Sequence, residues 1–141
     1  CVLLFPDAFW AKAHAKGNKD SFGRINGDRW MQRVEDRGRL FLFYGYGHHS
    51  GAAVLIGLIA GQAALEAEKE TAKEQTSRAI QALRNIFEPQ DTLVPLPLAA
   101  HCTKWASDPL VRGSYSSMEV GSCGNDYDIS AEAVAGRVFF A

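Results

Sequence analysis

The chain has 141 residues, about the size of one ordinary domain, and is long enough to bury a hydrophobic core. Hydrophobic residues make up 47% of the sequence and charged residues 22%, a composition typical of globular proteins that excludes a disordered tail. The 15 basic and 16 acidic side chains leave a formal net charge of −1, so the chain as a whole has no attraction to nucleic acid or to an anionic membrane.

The N-terminal part of the chain is predicted to contain short strands separated by turns. Residues 2–5 (VLLF) are typical of a buried strand, and Pro6-Asp7 ends it. Residues 11–38 are polar and rich in turn formers, with a short strand near Phe22–Ile25. Residues 24–39 contain five arginines, which indicate either a substrate-facing basic patch or a solvated loop face; the interspersed acidic residues favour the solvated face.

The middle of the chain contains the strongest strand signal and a long apolar segment. Leu40–Tyr46 (LFLFYGY) combines aromatic residues with glycines at its end and predicts a strand. The segment Gly51–Glu68 is apolar for about 15 residues, fewer than the ~20 that a membrane span requires. We therefore predict a core helix here and no membrane span, with Gly57 and Gly61 allowing the close approach of a neighbouring element.

A second helix is predicted after Thr71. The sequence Thr71-Ala72-Lys73-Glu74 fits a capping box, and Pro89 ends the helical pattern. Its apolar face is predicted to consist of Ala79, Ile80, Leu83, Ile86 and Phe87.

The C-terminal part is predicted to be a strand, a long loop, a short helix and a last strand. The strand covers residues 98–105, and the loop, at 106–127, is rich in glycine, serine and aspartate, as functional loops often are. The helix lies near Ile129–Val134 and the last strand at residues 137–141. The fold class that follows is α+β, with a mixed sheet and packed helices.

Both ends of the sequence are apolar and strand-like, whereas domain termini are usually polar and exposed. We therefore expect a chain truncated within a larger fold. Its two terminal strands would then lack partners and expose apolar edges, which predicts marginal stability for the isolated chain.

Cysteine and histidine spacing gives no sign of a metal site. Cys1, Cys102 and Cys123 are widely separated and form no CxxC pair, so we expect reduced thiols in a cytosolic or nuclear protein. His48 and His49 are adjacent, so their side chains diverge and do not form a metal site alone.

The candidate chemistry lies in residues 103–116 (TKWASDPLVRGSYS). Trp105 and Tyr115 flank an Asp-Pro turn and a glycine. Aromatic side chains on such a loop can wall a pocket for a planar ring or an alkylated amine. Packing in the core explains the same residues, and from the pattern alone it is slightly favoured. Standard nucleophile motifs and a Gly-rich phosphate loop are absent from the sequence.

Several segments resemble one family, in the same order along the chain. TKWASDPLVRGSYS is similar to the T-x-W-x-x-D-P-x-x-x-G-S-Y-S segment of flavin amine oxidases, and GSCGNDYDI at 121–129 resembles a stretch typical of lysine-specific histone demethylases. RVFFA at the end is similar to the strand that leads into the family's G-E-x-T flavin motif. VLLFPDAFW, LFLFYGY and the AGQAA segment match upstream, and the plant-type homologues look most similar.

This resemblance implies an FAD cofactor and assigns roles to three residues. Trp105 would lie beside the flavin, Ser114 close to it, and Tyr115 would form one wall of the catalytic aromatic cage. Family members often carry a second aromatic residue after the Asp-Pro pair, where this sequence has Leu110, so that side of the pocket would be less aromatic.

The resemblance also implies a division of the chain and a set of missing parts. Residues 1–105 would belong mostly to the substrate-binding part, and residues 106–141 to a flavin-facing loop and a strand that returns to the FAD domain. The family's active-site lysine would directly precede Cys1, and its Gly-Glu motif would directly follow Ala141. The chain alone would therefore be inactive.

The implied activity of the parent enzyme is oxidative demethylation of mono- and dimethyl-lysine on histone H3, which yields formaldehyde and hydrogen peroxide. The implied setting is the nucleus, with a methylated histone tail or another amine as substrate and chromatin corepressor proteins as partners. Two alternatives stay open: an oxidase of polyamines or other amines, and a non-catalytic scaffold derived from an oxidase domain.

Overall fold

The computed structural model describes residues 1–13, 21–23 and 37–139. The strands in this part of the chain are β1 (Val2–Leu4), β2 (Ser21–Gly23), β3 (Leu42–Gly45), β4 (Val54–Leu58) and β5 (Ala99–His101). The helices are α1 (Phe9–Ala13), α2 (Gly47–Ser50), α3 (Gln62–Glu68), α4 (Ala72–Phe87) and α5 (Asn125–Ala131). A single 3₁₀ turn, Glu88–Gln90, follows α4.

The five strands form one sheet in the order β2-β3-β4-β1-β5. The predicted α+β class is confirmed, but the predicted mixture of strand directions is wrong for the described residues, because all four strand pairings are antiparallel. A parallel pair needs a crossover connection of a dozen or more residues. The short connection from β3 to β4 through α2 is suited to an antiparallel pair instead.

The N-terminal strand lies inside the sheet. Leu3 pairs with Leu55 of β4 on one side and with Ala100 of β5 on the other. The expectation that this strand exposes an unpaired edge is therefore wrong. Near the other end of the chain, the sequence predicts a strand at residues 137–141. Val138 forms only an isolated bridge with Val134, and residues 140 and 141 lie outside the described ranges.

The core lies where α4 and the aromatic residues that follow β1 pack on the sheet. The predicted apolar face of α4 is confirmed at Ala79, Leu83 and Phe87, which are fully buried, and at Ile86, which packs against their cluster, whereas Ile80 is only half-buried. The rings of Phe9 and Phe87 meet edge to face, with centroids 5.3 Å apart. Such a pair contributes about 0.5–1.5 kcal/mol beyond the burial of its apolar area.

The segment predicted as one core helix is a strand followed by a short helix, so the prediction for Gly51–Glu68 is wrong in its first half. An apolar run without polar punctuation does not distinguish a buried strand from a buried helix by periodicity. Here the β-branched Val54 and Ile56 and the alternating burial along β4 go with a strand. Close approach is confirmed at Gly57, where a Cβ atom would lie 2.8 Å from Phe43 Cε1. Gly61 instead has a positive φ of 62°, and a Cβ atom added there would have no atom within 4 Å.

Helix α4 begins and ends as predicted. The Thr71 hydroxyl accepts a hydrogen bond from the Glu74 amide at 3.2 Å, and the Glu74 carboxylate accepts one from the Thr71 amide at 2.8 Å. The helix ends at Phe87, and Pro89 lies in the 3₁₀ turn. None of the helices in the described ranges is long and apolar enough to cross a membrane.

The last helix begins earlier along the chain than predicted. Helix α5 begins at Asn125, four residues before the predicted start at Ile129.

The described end of the arginine-rich segment makes an ion pair with the connection between α3 and α4. Arg39 lies 3.0 Å from Glu70, which also pairs with Arg78 of α4 at 3.1 Å. Most of that segment, residues 24–36, lies outside the described residues.

Candidate functional site

The residues with candidate chemistry follow the edge strand β5, on what we call the site loop (residues 103–116). Asp108 organises the turn within it. Its carboxylate accepts a hydrogen bond from the Leu110 amide at 2.9 Å, and its carbonyl oxygen accepts one from the Arg112 amide at 2.8 Å. The Asp-Pro turn predicted from the sequence is therefore a hydrogen-bonded structure with Asp108 as its anchor.

Two residues after this turn take up left-handed backbone conformations. Arg112 has a φ of 56° and Gly113 a φ of 146°, and nothing lies within 4 Å of the Cβ that a side chain at Gly113 would carry. Glycine adopts such a φ without steric cost. The chain can therefore change direction at Gly113 and present Ser114 and Tyr115 at the surface.

The aromatic side chains of the site loop lie outside the core. Trp105 is 47% exposed and Tyr115 is 88% exposed, and Ser114 is exposed as well. The core-packing interpretation of Trp105 and Tyr115 is therefore wrong. Both residues are described, and none of the ring contacts among the described residues joins Trp105 to Tyr115. Leu110 between them is 93% exposed.

A carboxylate from α3 holds the beginning of the site loop. One oxygen of Glu68 accepts a hydrogen bond from the Ala106 amide at 2.8 Å, and the other accepts one from the Ser107 amide at 2.8 Å. These two residues directly follow Trp105, so the backbone next to the indole is attached to the end of α3. We call this pair of hydrogen bonds the Glu68 clamp.

The charge of Glu68 is stabilised by the clamp. Partial burial raises the pKa of its carboxyl group, but the hydrogen bonds from Ala106 and Ser107 outweigh this effect, and nearby Lys104 adds to them. The net result is a pKa below the usual value of 4.5, so the carboxylate is ionised at neutral pH. Hydrogen bonds to an ionised acceptor are about twice as strong as neutral ones.

Glu68 was missed in the sequence, although one signal for it exists. An acidic side chain in the last turn of a helix lies against the negative end of the helix dipole, which disfavours it. Glu68 occupies that position at the end of α3. A carboxylate placed there indicates a partner elsewhere in the fold, but the sequence alone does not reveal which backbone amides it binds.

The cysteines include a close pair that spacing along the sequence did not reveal. Cys1 and Cys102 continue the register of β1 and β5, and their sulfur atoms lie 2.9 Å apart. Both are free thiols, as is exposed Cys123. Across the described part of the chain, no group of three or more histidine, cysteine or acidic side chains is arranged to hold a metal ion. The backbone of residues 48 and 49 belongs to α2, but their side chains lie outside the described part of the structure, so the prediction for them stays a prediction.

The exposed residues of the site loop are chemically suited to a flavin. A planar, partly apolar ring system is bound by stacking on aromatic faces and by hydrogen bonds from small polar groups. Trp105 and Tyr115 offer such faces, and Ser114 offers a hydroxyl between them in sequence. The hydrogen-bonded turn at Asp108 and the Glu68 clamp give these side chains an ordered backbone.

Comparison with known proteins places the whole chain in one family. Residues 1–141 match the family of flavin containing amine oxidoreductases. The chain is 46% identical over 140 residues to Lysine-specific histone demethylase 1 homolog 1 of Oryza sativa subsp. japonica, and 44% identical over 141 residues to Protein FLOWERING LOCUS D of Arabidopsis thaliana. It is 42% identical over 140 residues to Lysine-specific histone demethylase 1 homolog 2 of Arabidopsis thaliana.

These alignments cover 99% of this chain but only 15% to 17% of each relative. The chain thus spans about one sixth of the length of these curated relatives. The match includes the site loop and every described strand and helix, and it confirms the resemblance drawn from the sequence motifs. The chain belongs to the family of flavin-containing amine oxidoreductases, and its relatives include plant homologues of lysine-specific histone demethylase 1.

Proposed function

We propose that the full-length protein that carries this chain is an FAD-dependent oxidase that removes methyl groups from mono- and dimethyl-lysine in histone H3 tails. The observation that carries the proposal is the site loop. It holds Trp105, Ser114 and Tyr115 outside the core, within a chain whose relatives are named lysine-specific histone demethylases over its entire length. A nuclear location follows from a histone substrate.

In this proposal the residues of the site loop bind and orient. Trp105, attached through the Glu68 clamp, packs beside the isoalloxazine ring, and the Ser114 hydroxyl lies close to that ring. Tyr115 is one aromatic wall of the cage that receives the methylated amine. Oxidation requires a desolvated, uncharged amine. An aromatic wall is compatible with such an amine, because the face of the ring has no polar group that needs a hydrogen-bond partner.

When bound, FAD would supply the two-electron oxidant for the N-methyl carbon. In the overall reaction the N-methylated lysine, dioxygen and water give the demethylated amine, formaldehyde and hydrogen peroxide. The contribution of the chain is to exclude water from the amine and to hold its methyl group against the ring. A lone pair on nitrogen is required for this oxidation, so trimethyl-lysine is not a substrate. Residues 1–105 contribute mainly to substrate binding and residues 106–141 to the flavin side.

The test of this assignment is replacement of Tyr115 by alanine in the full-length protein. Loss of one aromatic wall removes about 0.5–2 kcal/mol of cation–π interaction with the positive charge that develops on the nitrogen as the amine is oxidised, which corresponds to a roughly 2- to 30-fold lower kcat/KM for a dimethyl-lysine peptide. Tyr115→Phe keeps the ring and should retain most of the activity. The cofactor released on denaturation should have the mass of FAD.

The control is Leu93→Ala, which removes an exposed apolar side chain between α4 and β5, outside the site loop and the flavin-facing residues 106–141. This variant should keep the kcat/KM of the unmodified protein. Equal losses in the two variants would contradict the assignment of Tyr115 to the amine cage. A full-length protein that releases no flavin would support the scaffold alternative instead.

A further inference from the structure

The carboxylate at the end of α3 joins two distant parts of the chain. Glu68 is partly buried, and its two oxygens each accept one backbone amide, from Ala106 and from Ser107, both at 2.8 Å. The partners are 38 and 39 residues away along the chain. This is therefore a tertiary contact between α3 and the site loop, and not a local cap.

The clamp acts on the backbone directly after Trp105. Two hydrogen bonds to consecutive amides fix both the position and the direction of that stretch of chain. Trp105 itself is 47% exposed, so its side chain has few packing neighbours that could hold the indole in place. The orientation of the ring then depends on the backbone that carries it.

We propose that Glu68 is a positioning residue for the flavin site, which acts by holding Trp105 against the cofactor. This inference rests on the proposed function, and it adds a residue that the family resemblance did not assign. The ionised carboxylate on α3 sets the backbone at Ala106 and Ser107, the backbone sets the indole, and the indole contacts the flavin.

Substitution of Glu68 by glutamine tests the clamp in the flavin-loaded, full-length protein. Glutamine has nearly the same shape, but its NH₂ group is a donor and cannot accept the second amide. Glu68→Gln should therefore lose hydrogen-exchange protection at Ala106 or Ser107. The rate constant for flavin reduction by a dimethyl-lysine peptide should fall about tenfold, since one charge-assisted hydrogen bond is lost and a backbone donor is left opposite another donor.

The matched control is Glu66→Gln, on the same helix. The Glu66 carboxylate is bonded to the side chains of Lys69 and Gln62, so this variant removes the same charge without touching the site loop. It should keep both the amide protection and the reduction rate. Glu68→Asp keeps the carboxylate on a shorter arm and should recover part of the lost rate, which provides a second variant if Glu68→Gln folds poorly.

A double-mutant cycle with Trp105→Phe separates positioning from general stability. If Glu68 acts through the indole, the double variant should reduce flavin no more slowly than Trp105→Phe alone, and the flavin visible spectrum should shift in the same direction in both single variants. Fully multiplicative losses would overturn the proposal, because they would mean that Glu68 acts by another route.

Other outcomes overturn it separately. Loss of amide protection with an unchanged reduction rate and spectrum would make Glu68 a purely structural residue. Equal behaviour of Glu68→Gln and Glu66→Gln would remove the clamp as a cause, with the proposed function intact. A full-length protein that binds no flavin would defeat the proposed function and, with it, this inference.

Discussion

Gly57 is the residue at which the sheet comes closest to the core side chains. A Cβ atom there would lie 2.8 Å from Phe43 Cε1 and 3.0 Å from Leu40 Cδ2, and both of these side chains are buried. Packed interiors have little free space in which a ring can shift. The glycine is thus required by its neighbours and not by an unusual backbone conformation.

Gly57→Ala should destabilise the protein by about 1–3 kcal/mol through overpacking, as measured by urea unfolding. Gly124→Ala is the control, because its φ of −57° suits alanine and nothing lies within 4 Å of the added Cβ. That variant should unfold within about 0.5 kcal/mol of the unmodified protein. An unchanged stability for Gly57→Ala would contradict the close packing of β4 on Phe43.

The thiols of Cys1 and Cys102 provide a second test at the residue scale. Their sulfur atoms are 2.9 Å apart and extend from neighbouring strands. A disulfide bond is about 2.0 Å long, so the two side chains need only a small movement to form one. Diamide, which takes two hydrogen atoms from two thiols, should join these residues and leave exposed Cys123 free to react with an alkylating reagent. Peptide mass spectrometry detects the product.

Cys102→Ser should abolish this cross-link, and Cys123→Ser should not. Cross-links that join Cys123 to either of the other two cysteines in equal yield would show that the register of β1 and β5 differs from the one described here.

At the scale of elements, local signals predicted α4 well and the segment before it poorly. The capping box at Thr71, the spacing of Ala79, Leu83 and Phe87, and the stop at Pro89 are all read within a few residues of one another. The fold of Gly51–Glu68 depends on non-local pairing, since Val54, Leu55 and Ile56 become a strand by bonding to β1 and β3. Tertiary context of this kind overrides a short apolar pattern.

Thr71→Ala should lower the free energy of unfolding by about 1 kcal/mol at neutral pH, because an amide at the start of α4 loses its acceptor. Thr76→Ala is the matched control inside the same helix, where the hydroxyl donates to the Ala72 carbonyl oxygen. It should have a smaller effect. Chemical denaturation of both variants provides the comparison, and equal losses would contradict the capping role.

The effect of Thr71→Ala should depend on pH in one direction. Hydrogen bonds from the Thr71 amide and hydroxyl lower the pKa of Glu74 below its usual value of 4.5. A group with a lowered pKa in the folded state contributes its stability above the usual pKa and loses it as the pH falls through the folded value. The difference in the free energy of unfolding between Thr71→Ala and the unmodified protein should therefore become smaller as the pH falls below about 4.5.

At the scale of the whole molecule, the sheet and helices act as a support for the site loop. The chain leaves β5, is held by Glu68 from α3, turns at Asp108 and continues as an exposed segment as far as α5. The motif around Trp105 and Tyr115 could be found in the sequence, since it is contiguous. The Glu68 clamp and the Cys1–Cys102 pair could not, because each joins residues that only the folded topology brings together.

The most direct test of the central claim is anaerobic titration of the purified full-length protein, with the flavin absorbance near 450 nm as the signal. We expect a dimethyl-lysine histone H3 peptide to bleach this absorbance and release formaldehyde, and the trimethyl-lysine peptide and spermidine to leave it unchanged. Bleaching by spermidine alone would contradict the demethylase assignment and favour a polyamine oxidase.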